Sequence, residues 1–199
     1  SIDQSLKRLQ TDYIDLYQLH GGTIEDPIDD VIEAFELLKS SGKIRYYGIS
    51  SIRQNVIREY VNRSSIVSVM MQYSLLDRRP EDEMLSFLKE NHIGVLARGS
   101  IAKGLLVSKP AEDYLNYSSG QVAQAAAAVK IISGTTSTPL ETSVQYVLKH
   151  PAVTSAVIGI RTEEQLREAL TVREVGTTQK DQLENLSNVL PANKYTAHR

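Results

Sequence analysis

The sequence predicts a parallel α/β fold on three observations. Short β-prone runs alternate with segments of helical periodicity along the 199 residues. The strand–helix–strand order recurs at roughly 25–30 residue spacing, which implies right-handed crossovers and therefore parallel strands. The first run, Tyr13 to Leu19, ends on His20 and breaks at Gly21-Gly22. An imidazole then stands at the carboxyl edge of a sheet, where parallel α/β folds carry their chemistry. Five such runs fit an open doubly wound sheet or an arc of a barrel, and spacing alone does not choose.

Each element has its own signal. Residues 2–10 read as a helix with Ile2, Leu6 and Leu9 on one face. The first strand covers 13–19. Residues 27–41 form a helix, with Pro27 at its start, Asp29 and Asp30 in its first turn and Gly42 as its stop. Ile28, Val31, Ile32, Phe35 and Leu38 make its apolar stripe. A second strand, Ile44 to Ile49, leads into a helix over 52–61, and a third strand runs from Ile66 to Tyr73. The next helix, 80–91, is opened by Pro80 and acidic residues. Ile93 to Arg98 is the fourth strand. A long loop from Gly99 to Ser118 precedes two helices, 119–132 and 139–149. The fifth strand, Ser155 to Ile158, is followed by helices over 162–172 and 178–189 and by a polar tail ending in His198-Arg199. The Ala125–Ala128 run favours helix over linker. No Pro/Ser-rich stretch divides the chain, so residues 1–199 are expected to form one domain.

Composition narrows the function. Hydrophobic content of 41% and charge of 23% are those of a soluble globular protein. A net charge of −2 argues against nucleic acid or an anionic membrane as partner. No apolar run is long enough to span a bilayer. Ser1-Ile2-Asp3-Gln4 lacks the basic start and apolar stretch of a signal peptide. Cysteine is absent, which excludes disulfides and thiolate metal sites and fits a cytoplasmic location.

The candidate functional residues lie at strand ends. His20 either donates a proton or hydrogen bond into a pocket or bonds loop backbone. Ser50 and Ser51 can bond an amide-bearing ligand or cap the following helix; the cap is the better reading for Ser51. Gln72 offers the donor and acceptor that suit a carboxamide. Arg98 closes an apolar run and must reach water, an anion or an aromatic face. Ile158-Gly159-Ile160-Arg161-Thr162 runs from strand through glycine to a cation and a helix start, an anion site in pattern. Thr162 with Gln165 also reads as a capping box, and the two readings are compatible. No dinucleotide glycine fingerprint, phosphate-binding loop, paired-histidine metal motif or hydrolase elbow occurs. His92 and His150 fall at the opposite sheet edge, and no metal is expected.

Three segments in order resemble the aldo-keto reductase family. Residues Ser5 to His20 resemble its helix-plus-strand signature. Gly42 to Ser51 resemble its second signature, where Ser-Asn is usual, and Val157 to Ala169 resemble its cofactor-phosphate loop and helix. The resemblance implies a (β/α)8 TIM barrel, of which this chain supplies about five βα units standing for strands four to eight. It implies reduction of a small-molecule aldehyde or ketone by hydride from NADPH. By position, His20 matches the tetrad histidine, and Ser50 and Gln72 match the carboxamide contacts. Ser51 stands for the usual Asn, and Arg98 for a Tyr stacked on the nicotinamide. Gly99, Ile101 and Lys103 match the loop along the pyrophosphate. Gly159, Arg161 and Gln165 match the 2′-phosphate pocket and Glu168 the adenine contact, while Ala169 departs from a common Asn.

The family's other tetrad members are an Asp, a Tyr and the Lys that lowers the Tyr pKa, and they sit on the first strands. None of the ten tyrosines here follows that motif. The expectation is a partial barrel lacking its N-terminal strands and weak or inactive by itself. The alternative is a non-catalytic nicotinamide-nucleotide-binding or regulatory barrel module. The tail is expected either to fold over the site or to stay disordered.

Overall fold

The computed structural model describes residues 2–173 and 177–197, with backbone alone at 177–179. Ser1, and His198 and Arg199 of the tail, lie outside the described residues. Helix α1 (Ile2–Leu9) leads into strand β1 (Ile14–His20). Then come α2 (Ile28–Ser40), β2 (Ile44–Ser50), α3 (Gln54–Arg63), β3 (Ser68–Gln72), α4 (Met84–Glu90) and β4 (Gly94–Arg98). Helices α5 (Ser119–Ser133) and α6 (Pro139–Leu148) precede β5 (Val153–Val157), and α7 (Glu163–Ala169) and α8 (Thr177–Leu186) complete the order. No helix among the described residues is long and apolar enough to cross a membrane.

All strand pairs are parallel, and the sheet order is β1-β2-β3-β4-β5. Each strand is added beside its predecessor, without the reversal that marks a doubly wound sheet. This is the winding of a barrel. Burial divides the two sheet faces. Tyr47, Ile49, Val69, Met71, Val95 and Ala97 are fully buried in one core with residues of the helices. Their neighbours Ser50, Met70, Gln72, Leu96 and Arg98 remain partly or largely exposed on the other face.

Several boundaries differ from those the sequence predicts, for local reasons. Helix α3 starts at Gln54 rather than Ile52, because Ser51 Oγ accepts from Arg53 N at 3.1 Å and makes one more turn of loop. Pro80 opens a 3₁₀ turn, Arg79–Glu81, and α4 begins only at Met84. There Arg79 binds Asp77 through two 2.7 Å hydrogen bonds and Arg78 binds Glu81, so ion pairs shape the segment. Strand β3 begins at Ser68 rather than Ile66, where its pairing with Gly48 begins. Strand β5 begins at Val153 because Val153 pairs with Val95 ahead of a register shift. Thr154 occupies the shift, and its hydroxyl donates to Val95 O at 3.1 Å. Leu9, placed on the apolar face of α1 by periodicity, is 62% exposed.

The tail is irregular and packed. Asn193 Oδ1 accepts from Arg78 N at 2.8 Å, Tyr117 Oη donates to Pro191 O at 2.7 Å, and Tyr195 is buried beneath the Arg79 guanidinium. The tail therefore leans on the loop after β3.

Two contacts set testable limits on this fold. A Cβ on Gly48 would overlap the carbonyl and hydroxyl oxygens of Ser68 on the neighbouring strand. Gly48→Ala is expected to cost roughly 2 kcal/mol by forcing β2 and β3 apart, read as a lower urea midpoint. Glu141, at the start of α6, accepts from Arg173 Nε at 2.8 Å and Ser137 Oγ at 2.7 Å. The Arg173 guanidinium holds its carboxyl at about 2, below the ordinary 4.5. A depressed carboxylate stabilises the fold above its unfolded pKa, and that stabilisation fades as pH falls through the folded value. Glu141→Gln is expected to lower neutral-pH stability by roughly 2 kcal/mol, the exposure of Arg173 being allowed for. The difference from wild type should close between pH 4.5 and about 2. Thermal melts across that range check it; a gap that widens in acid contradicts the assignment.

Candidate functional site

The ladder registers gather the strand tips. His20 pairs with Ser50, Gln72 pairs with Arg98, and Arg98 pairs with Val157. Ser50 pairs with Met70, two residues before Gln72. Because side chains alternate along a strand, His20, Ser50, Gln72, Arg98 and Val157 share the open face. With about 4.8 Å between strands, this row extends roughly 19 Å along the carboxyl edge. His20 is exposed at one end of it.

The middle of the row is the most constrained. Gln72 Nε2 donates to Tyr114 Oη at 2.8 Å, and Arg98 Nη1 donates to Gln72 Oε1 at 3.2 Å. Tyr114 is buried, and burial raises its phenol pKa. Ser51 is buried too, with its hydroxyl oxygen taken by Arg53 N.

The other end of the row opens into a cleft of about 570 Å³. Gly99, Ile101 and Lys103 line it from the loop after β4. Gly159, Arg161, Gln165 and Glu168 line it from the loop after β5 and from α7. Seven of the eleven residues assigned to cofactor binding thus meet in one cleft. Ser50, Ser51, Gln72 and Arg98 lie outside it, on the strand edge that continues it. The loop wall is tightly wound: Gly99, Ala102, Lys103 and Gly104 have φ of 75°, 46°, 58° and 96°. Left-handed conformations at Ala102 and Lys103 are strained for residues with a Cβ, and such strain concentrates at working sites.

Charge in the cleft is mainly positive. Lys103, Lys109 and Arg161 line it against a single carboxylate, Glu168. Among the described residues none of these three cations is paired with a carboxylate. Thr162 Oγ1 accepts from Gln165 N at 3.2 Å, so the capping contact forms. Gln165 Oε1 reaches back to Arg161 N at 2.8 Å and fixes the backbone under the Arg161 side chain. Anionic groups of an extended ligand fit this cleft, and an amide-bearing group fits the edge beyond it. Among the described residues no cluster of His, Cys, Asp or Glu could hold a metal ion.

The sequence reading missed Tyr114, Lys109 and Leu140. Leu140 lines the cleft from α6, and the Lys109 stem lies 3.4 Å from where a Gly104 Cβ would be. Tyr114 and Lys109 lie in irregular chain, where no periodicity marks a functional position. His92 and His150 lie at the ends of α4 and α6; His150 Nδ1 accepts from Ala152 N at 3.2 Å, and its burial lowers its pKa.

Comparison with known proteins places the chain in a family. The sequence model of the Aldo/keto reductase family matches residues 1–190. An uncharacterized oxidoreductase of Bacillus subtilis (strain 168), YqkF, is 50% identical, over 100% of this chain and 67% of that protein. The NADH-specific methylglyoxal reductase of Escherichia coli (strain K12) is 35% identical over 56% of this chain and 35% of its own length. The holo form of aldo-keto reductase AKR11C1 from Bacillus halodurans superposes with a TM-score of 0.88 at 45% identity, covering 100% of this chain and 66% of that one. The chain thus spans about two thirds of the length of YqkF and AKR11C1.

Proposed function

This chain belongs to the aldo/keto reductase family, and on that premise we propose that it carries the nicotinamide-nucleotide site of an NADPH-dependent oxidoreductase acting on aldehydes or ketones. The observation that carries the proposal is the continuous row from exposed His20 through Ser50, Gln72 and Arg98 into the cationic cleft at Arg161. Its polarity matches a dinucleotide, with amide-bonding groups at one end and cations at the other.

NADPH, when bound, supplies the hydride. Arg161 and Lys103 neutralise phosphate charge, and the fork of Arg161 suits a 2′-phosphate. Ser50 and Gln72 bond the carboxamide. Arg98 adds a planar cation at the position where many family members stack a Tyr. His20 hydrogen-bonds the substrate carbonyl oxygen and sets its orientation toward the reacting face. The acid that protonates that oxygen is a Tyr made competent by a Lys, because a phenol near its usual pKa of ~10 is a poor match at neutral pH.

We assign that Tyr, the Lys and their Asp to barrel units beyond the five described. The coverage of about two thirds of YqkF and AKR11C1 supports this reading, as does the barrel-type winding of a sheet that runs from β1 to β5. On this reading the chain alone binds nucleotide and turns over little substrate. A cytoplasmic location is in keeping with the absence of cysteine.

The E. coli relative is named as NADH-specific, which makes cofactor preference the property to measure. Titration of the chain with NADPH and with NADH, repeated on Arg161→Ala, decides it. NADPH affinity is expected to fall roughly 10- to 100-fold, the worth of a charge-assisted bond, with little change for NADH. Equal losses for both cofactors would remove Arg161 from the 2′-phosphate.

A further inference from the structure

Gln72 holds the centre of the strand edge, and its side-chain amide is held by two hydrogen bonds. Tyr114 Oη accepts from Nε2 at 2.8 Å and Arg98 Nη1 donates to Oε1 at 3.2 Å, while the lack of a Cβ at Gly99 leaves room for Gln72 Cγ, which such an atom would meet at 3.3 Å. A free glutamine amide has two orientations of similar energy, related by a half-turn of its last torsion. The half-turn here would bring the NH₂ group against the Arg98 guanidinium, donor against cationic donor. Arg98 is exposed, so its hold is screened by solvent. Tyr114 is buried at 6% exposure and makes the shorter bond. It sits in a turn closed by reciprocal backbone hydrogen bonds with Tyr117, both 3.0 Å, and Lys103 Nζ lies 5.9 Å from its ring centre. Burial raises the phenol pKa, and a neutral phenol both accepts and donates, so Tyr114 anchors the amide while the donor-only Arg98 decides its sense.

We propose that Tyr114 is a positioning residue that holds the Gln72 carboxamide in place on the strand edge, while Arg98 sets which way round it lies, so that together they fix the donor and acceptor presented to an amide-bearing ligand. The two bonds use one of two N–H donors and one of two oxygen lone pairs. One donor and one acceptor of fixed sense are left, the complement of a carboxamide. Locking them beforehand removes the ordering cost from binding. The proposal rests on the reading of Gln72 as a carboxamide contact given above.

The test uses the whole chain, its Tyr114→Phe variant and two probes. NADP⁺ carries the nicotinamide, and 2′-phospho-adenosine diphosphoribose lacks it. Tyr114→Phe keeps the ring and removes the hydroxyl. It is expected to weaken NADP⁺ about fivefold, one hydrogen bond's worth, and to leave the nicotinamide-free probe unchanged. In nitrogen–proton spectra the Gln72 side-chain amide, identified by its loss in Gln72→Glu, should show slow proton exchange in wild type and fast exchange in Tyr114→Phe. Equal weakening of both probes, or unchanged NADP⁺ affinity, overturns the proposal. So does a wild-type Gln72 amide that exchanges like a fully exposed glutamine, a result that stands even if the variant does not fold. If wild type binds neither probe, the nucleotide reading fails, and the amide spectra still decide whether Tyr114 locks Gln72.

Discussion

The parallel register of the sheet is the constraint on which the rest of the molecule depends. A slip of one residue in any strand would turn its side chains to the opposite face. Tyr47, Ile49, Val69, Met71, Val95 and Ala97 would then leave the core, and fully burying a side chain the size of Val, Ile or Met is worth about 1.5–3 kcal/mol. The packed face therefore sets the register, and the register aims His20, Ser50, Gln72 and Arg98 from the open face. Apolar burial on one side of the sheet fixes the geometry of polar groups on the other.

Irregular chain is tied to this frame by buried polar contacts. Tyr73, next to Gln72, donates to Glu81 at 2.8 Å, and Tyr146 of α6 donates to the same carboxylate oxygen at 3.1 Å. Arg78 Nε donates to its other oxygen at 2.9 Å. One carboxylate thus joins the end of β3, the loop after it and α6. Asn193 and Tyr195 bring the tail onto the same loop. Arg79 is held by buried Asp77 and lies over the Tyr195 ring, 4.8 Å from its centre. The nicotinamide end of the proposed site is thus backed by a network with few degrees of freedom.

The opposite end is held differently. Helix α7 carries Gln165 and Glu168 yet buries none of its residues. The Thr162 cap fixes its start, and Arg173, bound to Glu141 of α6, fixes the chain just beyond its end. A helix anchored at its flanks rather than along its length belongs to the less stable part of a fold. This contrast suits a ligand whose reacting end needs tight placement and whose far end supplies affinity.

The order of elements, their types and the parallel α/β class were legible in the sequence, because hydrophobic period and helix stop signals are local, whereas the choice of a barrel over an open sheet came from the family resemblance and not from spacing. So were His20, Gln72, Arg98 and Arg161, since each stands where an apolar run ends. Strand ends at β3 and β5 were not, because ladder partners such as Val95 and Val153 are more than fifty residues apart. Pro80 read as a helix start, and only the ion pairs of Arg78 and Arg79 make it a 3₁₀ turn. Tyr114 lies 42 residues from Gln72 in a segment without periodicity, and no local pattern marks it. Sequence by itself determined which groups reach the sheet edge. Tertiary structure alone decided how each is held, because the atoms that hold them arrive from distant chain only after the core has closed.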